Sequence, residues 1–220
     1  MTKSVIEMVK EFHETFGHSV GAEMPTQLRQ YERIGYVSEE LNELLLAIVS
    51  SNNVGILDAL GDIMYFVNGT FVEFGLSVSP VMDFKQIDEI LPGEDLGTDL
   101  MLAYMNLHAM TGQVIASTIA DADKKTLAHL AVMHNFIIRV FRRLGVKYYP
   151  VLAEIHRSNM SKLWPSHVSL HEDLLKRSGL TKEEVNFSKH ENGDWIVTRL
   201  DNNKVVKNPD MSQPELEQFL

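Results

Sequence analysis

Apolar residues recur at a helical period through most of the first 165 residues. A spacing of three and four residues places them on one face of a helix. Three such stripes open the chain: Val5, Met8, Val9, Phe12 and Phe16; Leu41, Leu44, Leu45 and Ile48; and Leu57, Leu60, Met64, Val67 and Phe71. Thr26 signals the start of the second helix, Asn52 caps the third and Gly75 follows its end. The pattern therefore predicts three amphipathic helices at the start of the chain.

Further helices are predicted at 98–120, 123–144 and 150–164, after a passage rich in proline and glycine signals. The last fifty residues change character, because β-prone stretches at 187–190, 195–200 and 204–207 alternate with turn residues. They predict a hairpin or a three-stranded unit. The expected fold is mostly α: a helical bundle of two antiparallel helix pairs with a small C-terminal β-hairpin appendage. We expect the bundle to occupy 1–165 and the appendage and tail to occupy 166–220.

The second helix pair, 98–146, has features of a degenerate repeat of the first. At an offset of 70 residues, Leu57, Leu60, Phe66, Phe71 and Gly75 align with Leu127, Leu130, Phe136, Phe141 and Gly145. The acidic residues Glu39, Glu40, Glu43, Asp58 and Asp62 align with Ala109, Met110, Gln113, Ala128 and Val132. Duplication predicts a near two-fold rotation between the pairs and a single acidic site. The alternative is a helical periodicity that two buried pairs share by chance.

Composition narrows the classes of function. Hydrophobic residues make up 45% of the 220 residues and charged residues 23%, as in globular proteins. The 20 basic and 30 acidic residues give a formal charge of −10, which disfavours binding to nucleic acid or to anionic membranes. The chain contains no cysteine, and its first residues lack an apolar signal core. We therefore expect a cytoplasmic protein without disulfides.

An acidic segment stands out, because positions 34–84 carry seven carboxylates and no lysine or arginine. Glu39, Glu40 and Glu43 span an arc of about 100° on one predicted helix. Asp58 and Asp62 lie one turn apart on the next, which is otherwise apolar nearly all round. A helical hairpin would bring the two acidic faces together, and such oxygen ligands suit Mg²⁺ or Mn²⁺. The alternative for the glutamates is a solvated face, whereas buried aspartates need a metal or a donor.

An ordered set of motifs resembles the all-α NTP pyrophosphohydrolases, which include MazG-like enzymes, phosphoribosyl-ATP pyrophosphohydrolase and the dimeric dUTPases. The motifs are Phe12-His13 with Phe16, Pro25, the run from Arg33 to Glu43, the run from Asp58 to Tyr65, and the run from Glu154 to Lys162. The resemblance covers about 1–76 and 150–210.

The resemblance implies Mg²⁺-dependent attack of water on the α-phosphorus of a nucleoside triphosphate, with Mn²⁺ as an alternative cofactor. It implies that Glu39, Glu40, Glu43 and Asp62 hold metal and act in catalysis. Ala59 stands where the family has a glutamate, and Asp58 is the candidate replacement. The implied substrate-binding residues are Phe12, His13, Phe16, Tyr65, Arg157, Asn159 and Lys162, with Lys204 and Lys207 in a tail that closes over the site.

The leading expectation is a house-cleaning hydrolase of a deoxynucleoside triphosphate such as dUTP, which releases the monophosphate and pyrophosphate. One alternative is phosphoribosyl-ATP hydrolysis. Another, from a different class, is a catalytically weakened nucleotide-binding or assembly module, which Ala59 and the carboxylate-free second pair favour. Single helix pairs dimerise in the family, so a homodimer is one expectation. The other is that 98–146 supplies the second half of the bundle within one chain.

Overall fold

A computed structural model describes residues 3–21, 25–76, 100–202 and 204–220 of the chain. These residues form seven α-helices and one two-stranded antiparallel sheet. The helices are α1 (Val5–Phe16), α2 (Gln27–Val49), α3 (Asn53–Glu73), α4 (Leu100–Ile119), α5 (Asp123–Arg143), α6 (Tyr148–Met160) and α7 (His171–Arg177), and the strands are β1 (Val185–Lys189) and β2 (Trp195–Arg199). The predicted mostly α fold with a C-terminal hairpin is confirmed.

The first three helices begin at polar caps. Ser4 and Glu7 form a capping box on α1, in which the Ser4 amide donates to Glu7 Oε2 at 2.6 Å. Asn52 Oδ1 accepts from the amide of Gly55 at 3.0 Å and starts α3 at its predicted position. Gly17 ends α1 with φ of 73°, in the left-handed region that favours glycine. The chain therefore turns back against the last turn of α1.

Helix α3 forms the centre of the bundle. It packs against α1, α2, α5 and α6. Its fully buried apolar side chains are Leu60, Ile63, Met64, Val67 and Phe71. Surrounded in this way, α3 leaves Asp58 and Asp62 half-buried among apolar neighbours.

A buried ion network joins α2 to α3. Glu73, 1% exposed, accepts from Arg29 at 2.7 and 3.1 Å and from Arg33 at 3.3 Å. Arg33 is also buried and donates to Thr70 Oγ1 at 3.2 Å and to the carbonyl of Phe66 at 2.6 Å. Burial raises the pKa of Glu73, but the two guanidinium groups outweigh it and hold that pKa below its usual value. The carboxylate is therefore charged and doubly compensated.

Gly69 makes room for this network. A β-carbon at that position would lie 2.2 Å from Arg33 Nη2 and 2.9 Å from His13 Nε2. Both are the polar ends of buried side chains. Even an alanine at position 69 would therefore displace the guanidinium of Arg33.

The second helix pair runs antiparallel to the first. Gln27, at the start of α2, donates to the carbonyl of Thr118 near the end of α4 at 2.8 Å, and Gln30 donates to Asp123 Oδ1 at 3.0 Å. A two-fold axis perpendicular to the helices would produce this antiparallel course, but duplication stays a prediction. Met110 packs into the core, whereas Ala109 and Gln113 lie on the surface.

The C-terminal part builds a second apolar cluster around the hairpin, in which Phe187 pairs with Val197. The cluster consists of Trp164, Leu174, Leu175, Val185, Val197 and Val206. Of the predicted third strand at 204–207, the described residues form only one bridge, between Thr198 and Val205. The last predicted helix ends early, at Met160, because the Trp164 amide leaves the helix and donates to the carbonyl of Trp195 at 2.8 Å.

Leu216 returns from the tail to the main core, so the proposed division at residue 165 stays a prediction. In the described part of the chain, no helix is long and apolar enough to cross a membrane.

We expect Glu73→Gln to destabilise the protein strongly, because it leaves the guanidinium of Arg33 buried without its counter-charge. Such a loss costs about 3–5 kcal/mol, and each kcal/mol lowers the Tm of a chain of this size by about 2–4 °C. Thermal unfolding followed by circular dichroism measures the effect. Glu14→Gln is the control, since Glu14 is exposed and pairs with Lys10 in the preceding turn. A change in Tm equal to that of the control would contradict the proposed importance of the network.

Candidate active site

The pairing of α2 with α3 brings the predicted carboxylates to one part of the hairpin. Tyr36 stacks on Phe66 with ring centroids 5.2 Å apart. Because the helices are antiparallel, four residues forward along α2 and four residues back along α3 lead to Glu40 and Asp62. Glu43 and Asp58 follow one turn further on. Glu39 and Glu43 are exposed on this face of α2, whereas Glu40, Asp58 and Asp62 are half-buried.

These five carboxylates, which we call the acidic cluster, act on one another electrostatically. Burial, followed by the charges of Asp62, Glu43, Asp58 and Glu39, raises the pKa of Glu40 to about 8. Burial also raises the pKa of Asp62 to about 7, with Asp58 as the next contribution. Burial and then Glu43 raise the pKa of Asp58. The predicted convergence of the two acidic faces therefore agrees with the electrostatics of the site.

The acidic cluster has the donor chemistry of a divalent-cation site. Glu40 Oε2 is buried without a hydrogen-bond partner. Such an oxygen is costly unless a cation or a donor meets it. Among the described residues, no group of three or more acidic or histidine side chains is arranged to hold a metal ion as it stands. Ala59 faces the core, so Asp58 rather than position 59 belongs to the cluster.

Lysines from the C-terminal part of the chain supply positive charge. Lys162 Nζ donates to Asn159 Oδ1 and lies 5.4 Å from the centre of the Phe12 ring. Burial and the nearby Lys207 lower the pKa of Lys162 to about 8, against the opposite effect of Asp62 and Glu40. Lys207 in turn lowers the pKa of Asp58 and Asp62. Lys204 also lowers the pKa of Lys162. Both lysines of the tail, Lys204 and Lys207, therefore lie close enough to affect the charges of the site.

Aromatic side chains line the side of the site next to α1. Phe12 is half-buried and contacts Phe16, His18 and Tyr65, with centroid distances of 4.6, 5.7 and 5.7 Å. Phe16 itself is buried. Tyr65 Oη lies 3.0 Å from His156 Nδ1. Burial, with Asp62 as the next contribution, raises the pKa of Tyr65 well above its usual value, so the phenol keeps its proton.

His13 and Arg157, two of the predicted substrate-binding residues, make hydrogen bonds to other parts of the protein. His13 is 2% exposed, so it is not a surface histidine, and its Nδ1 hydrogen-bonds to the carbonyl of Ser19 at 2.9 Å. Burial and then Arg33 lower its pKa to about 4, so the ring is neutral. Arg157 pairs with Glu154 at 2.6 Å and donates to Ser212 Oγ and the Gln213 carbonyl, both at 2.9 Å. Arg157 thereby holds the tail, and substrate contacts by these two residues stay predictions.

Sequence reasoning missed His18 and the partner of Tyr65. His18 stacks on Phe12, and the signal for this contact was Gly17, since a glycine at a helix end reverses the chain. His156 bridges Tyr65 and Glu11, whose Oε2 lies 3.2 Å from His156 Nε2. These contacts join residues about 90 and 145 positions apart, which no local spacing reveals.

Comparison with known proteins gives a family match in the first part of the chain. Residues 9–86 match the family described as phosphoribosyl-ATP pyrophosphohydrolase, a match that spans the acidic cluster and Phe12. A curated relative, an uncharacterized protein of Acanthamoeba polyphaga mimivirus, is 23% identical over 244 aligned residues, which cover 97% of this chain and 94% of the relative. No solved structure matches the chain.

The matched family is one of nucleotide pyrophosphohydrolases and indicates an activity of that kind. The resemblance carried by the acidic motifs is thus confirmed over residues 9–86, which match a family of the all-α, MazG-like NTP pyrophosphohydrolase superfamily.

Proposed function

We propose that this protein is a divalent-metal-dependent hydrolase that cleaves the α–β phosphoanhydride of a deoxynucleoside triphosphate such as dUTP. Water attacks the α-phosphorus, the bond to the bridging oxygen breaks, and the nucleoside monophosphate and pyrophosphate leave. The family match supports the reaction class. The observation that carries the proposal within this chain is Glu40, a half-buried carboxylate with an unpartnered oxygen among four other carboxylates.

The residues present fit a metal ion. Carboxylate oxygens are the ligands that Mg²⁺ and Mn²⁺ prefer, and a cation would compensate Glu40 Oε2, which is buried without a hydrogen-bond partner. Glu40, Glu43 and Asp62 would hold the metal, with Asp58 in the place of the family's glutamate. When bound, the metal supplies charge that neutralises the triphosphate and activates water.

The other side chains divide the remaining tasks. Glu39, exposed at the edge of the cluster, orients the attacking water or adds a further ligand. Lys162 is held beside the cluster by Asn159 and offers its ammonium group to a phosphate oxygen. Lys204 and Lys207 add positive charge from the tail, which a triphosphate needs when it approaches a chain of charge −10. Phe12, with Tyr65 at its edge, offers an apolar wall to the nucleoside.

A second candidate function is hydrolysis of phosphoribosyl-ATP, which the description of the matched family favours. The chemistry at the α–β bond would be the same, and only the recognised nucleoside part would differ. Incubation with dUTP, other deoxynucleoside and ribonucleoside triphosphates and phosphoribosyl-ATP, with chromatography of the products, separates the two candidates. Binding without product formation on any of them would favour the nucleotide-binding module instead.

The position of attack can be tested with ¹⁸O-labelled water. We expect the label in the monophosphate product and none in pyrophosphate, because the water attacks the α-phosphorus. Activity should disappear with a chelator and return with Mg²⁺ or Mn²⁺. Release of diphosphate and labelled orthophosphate would move the attack to the γ-phosphorus and refute the assignment.

We expect Glu40→Gln and Glu43→Gln each to lower kcat more than about a hundredfold, since even residues that only support a metal ligand contribute about 10–100-fold. Circular dichroism should show an unchanged helix content. Glu14→Gln is the matched control, because Glu14 is an exposed carboxylate on α1, away from the cluster. Near-normal turnover by Glu43→Gln would show that Glu43 belongs to a solvated face.

The pH dependence of stability offers a test that needs no substrate. The pKa of Glu40 is raised from 4.5 to about 8, so the folded protein binds this proton more tightly than the unfolded chain does. Protonated Glu40 therefore contributes to the free energy of unfolding. This contribution is fully present below pH 4.5 and is lost as the pH rises toward 8. In chelator, Glu40→Gln should therefore become more stable relative to wild type between pH 5 and pH 8, as measured by thermal unfolding. A difference in Tm that stays constant over this range would mean that Glu40 is solvated.

A further inference from the structure

A series of hydrogen bonds leads from the edge of the acidic cluster to the protein surface. Its five side chains, which we call the hydrogen-bond relay, are those of Lys162, Asn159, Tyr65, His156 and Glu11. Lys162 Nζ donates to Asn159 Oδ1, and the side chain of Asn159 is hydrogen-bonded to Tyr65. Tyr65 Oη lies 3.0 Å from His156 Nδ1, and His156 Nε2 lies 3.2 Å from Glu11 Oε2. The relay thereby connects α6, α3 and α1.

Every hydrogen bond of the relay points the same way. An ammonium group can only donate, so the amide oxygen of Asn159 faces Lys162 and its NH₂ group is left for Tyr65. Burial raises the pKa of Tyr65, and Asn159 acts in the opposite direction, as a donor to the phenol oxygen does. The phenol keeps its own proton and donates it to His156 Nδ1. The imidazole therefore carries its proton on Nε2 and donates to Glu11.

The relay begins at a cation and ends at an anion. Lys3 donates to Glu11 Oε2 at 2.5 Å and holds the pKa of Glu11 below its usual value, so this carboxylate is charged. Burial lowers the pKa of His156, which is therefore a neutral ring between the two ends. Hydrogen bonds that are aligned in series polarise one another. The hold of Asn159 on Lys162 is therefore stronger than that of an isolated amide.

Lys162 is a residue that needs to be held in place. A lysine ammonium is a compact charge on a flexible four-carbon stem, and a misplacement of about 1 Å at a reacting centre can cost about a hundredfold in rate. The hydrogen bond to Asn159 fixes the end of this stem, and the ring of Phe12 lies 5.4 Å from Nζ. One of the three ammonium protons is used in this way. Two remain for an oxygen of a ligand.

We infer that Tyr65, His156 and Glu11 are positioning residues, which hold the ammonium group of Lys162 through Asn159 where it meets a phosphate group. In the proposed function, on which this inference rests, Lys162 contacts a phosphate oxygen. A structural tie between α6 and α1 would need only the contact of His156 with Glu11. The relay instead continues inward, through a buried tyrosine, to the lysine beside Asp62. Tyr65 and Asn159 thus act on the substrate through Lys162.

A double-mutant cycle on phosphate binding tests this dependence without turnover. The full chain is titrated calorimetrically with inorganic tripolyphosphate in the presence of Mg²⁺. We expect Lys162→Met to weaken binding about a hundredfold, because a charge-assisted hydrogen bond is lost, and Tyr65→Phe to weaken it about tenfold. Because Tyr65 acts through Lys162, Tyr65→Phe should have no further effect in a chain that already carries Lys162→Met.

Tyr31→Phe is the matched control for this cycle, since Tyr31 is an exposed tyrosine of α2 outside the relay. Circular dichroism should show the same helix content in all variants. A tenfold effect of Tyr65→Phe that persists in the Lys162→Met chain would overturn the inference, because Tyr65 would then act independently of Lys162. A wild-type chain that binds no tripolyphosphate would overturn it as well.

The outer end of the relay gives a variant that cannot disturb the core. Glu11 lies on the surface, with 37% of its side chain exposed. We expect Glu11→Ala to weaken tripolyphosphate binding about threefold to tenfold, as a substitution without ligand contact does when it is coupled to a site. Glu14→Ala removes an exposed carboxylate from the same helix and should leave binding unchanged. Equal affinities of these two variants would overturn the inference.

Nitrogen NMR of the imidazole rings tests the relay with no ligand present. We expect His156 to carry its proton on Nε2 at about pH 8, and its signals are identified by their loss in His156→Gln. A proton on Nδ1 would reverse the hydrogen bond to Tyr65 and overturn the inference, whatever nucleotide the protein hydrolyses. A chain that hydrolyses none of the nucleotides, but shows this tautomer and the expected cycle, would refute the proposed hydrolysis and support the positioning of Lys162.

Discussion

The contact of Arg33 and Arg29 with Glu73 is the interaction on which the rest of the molecule depends. It lies inside the α2–α3 hairpin, and Arg33 extends it to Thr70 and to a backbone carbonyl. A purely apolar interface would allow the two helices to slide by a turn, because leucine and isoleucine side chains repack at low cost. A guanidinium with several fixed acceptors does not allow such a shift. The network therefore sets the register that brings Glu40 beside Asp62.

The α2–α3 hairpin carries two different charged sites, the ion network around Glu73 and the acidic cluster. At one end the carboxylate of Glu73 is compensated by two arginines, and its pKa is lowered. In the acidic cluster, carboxylates face one another, and the pKa values of Glu40 and Asp62 are raised. Carboxylates with raised pKa values that face one another concentrate at functional sites, whereas a carboxylate paired with arginines is typical of a structural ion network. The positive charge near the cluster comes from the C-terminal part of the chain, through Lys162 and Lys207.

Much of this arrangement could be predicted from local patterns. The caps at Thr26 and Asn52 and the apolar stripes identify the helices, because helix periodicity and capping are properties of short segments. The spacing of Asp58 and Asp62 places both on one face. What could not be predicted are contacts across long stretches of chain, such as Tyr65 with His156 or Arg157 with the tail. Of the two alternatives at the C-terminus, the hairpin formed and a full third strand at 204–207 did not: this segment meets β2 only through the Arg199–Lys204 and Val206–Val197 backbone hydrogen bonds, and the Trp164 indole donates to the Val206 carbonyl at 3.0 Å.

The close approach at Gly69 has a consequence for sequence variation. Because a β-carbon there would overlap the guanidinium of Arg33, the two positions are not free to change independently. A chain that replaces the arginine with a shorter apolar residue removes the closer of the two overlaps and leaves that with His13 Nε2 at 2.9 Å, whereas a chain that first acquires a side chain at position 69 loses its ion network. Divergence among relatives of this chain should therefore change position 33 before position 69, and relatives that keep the arginine should keep the glycine.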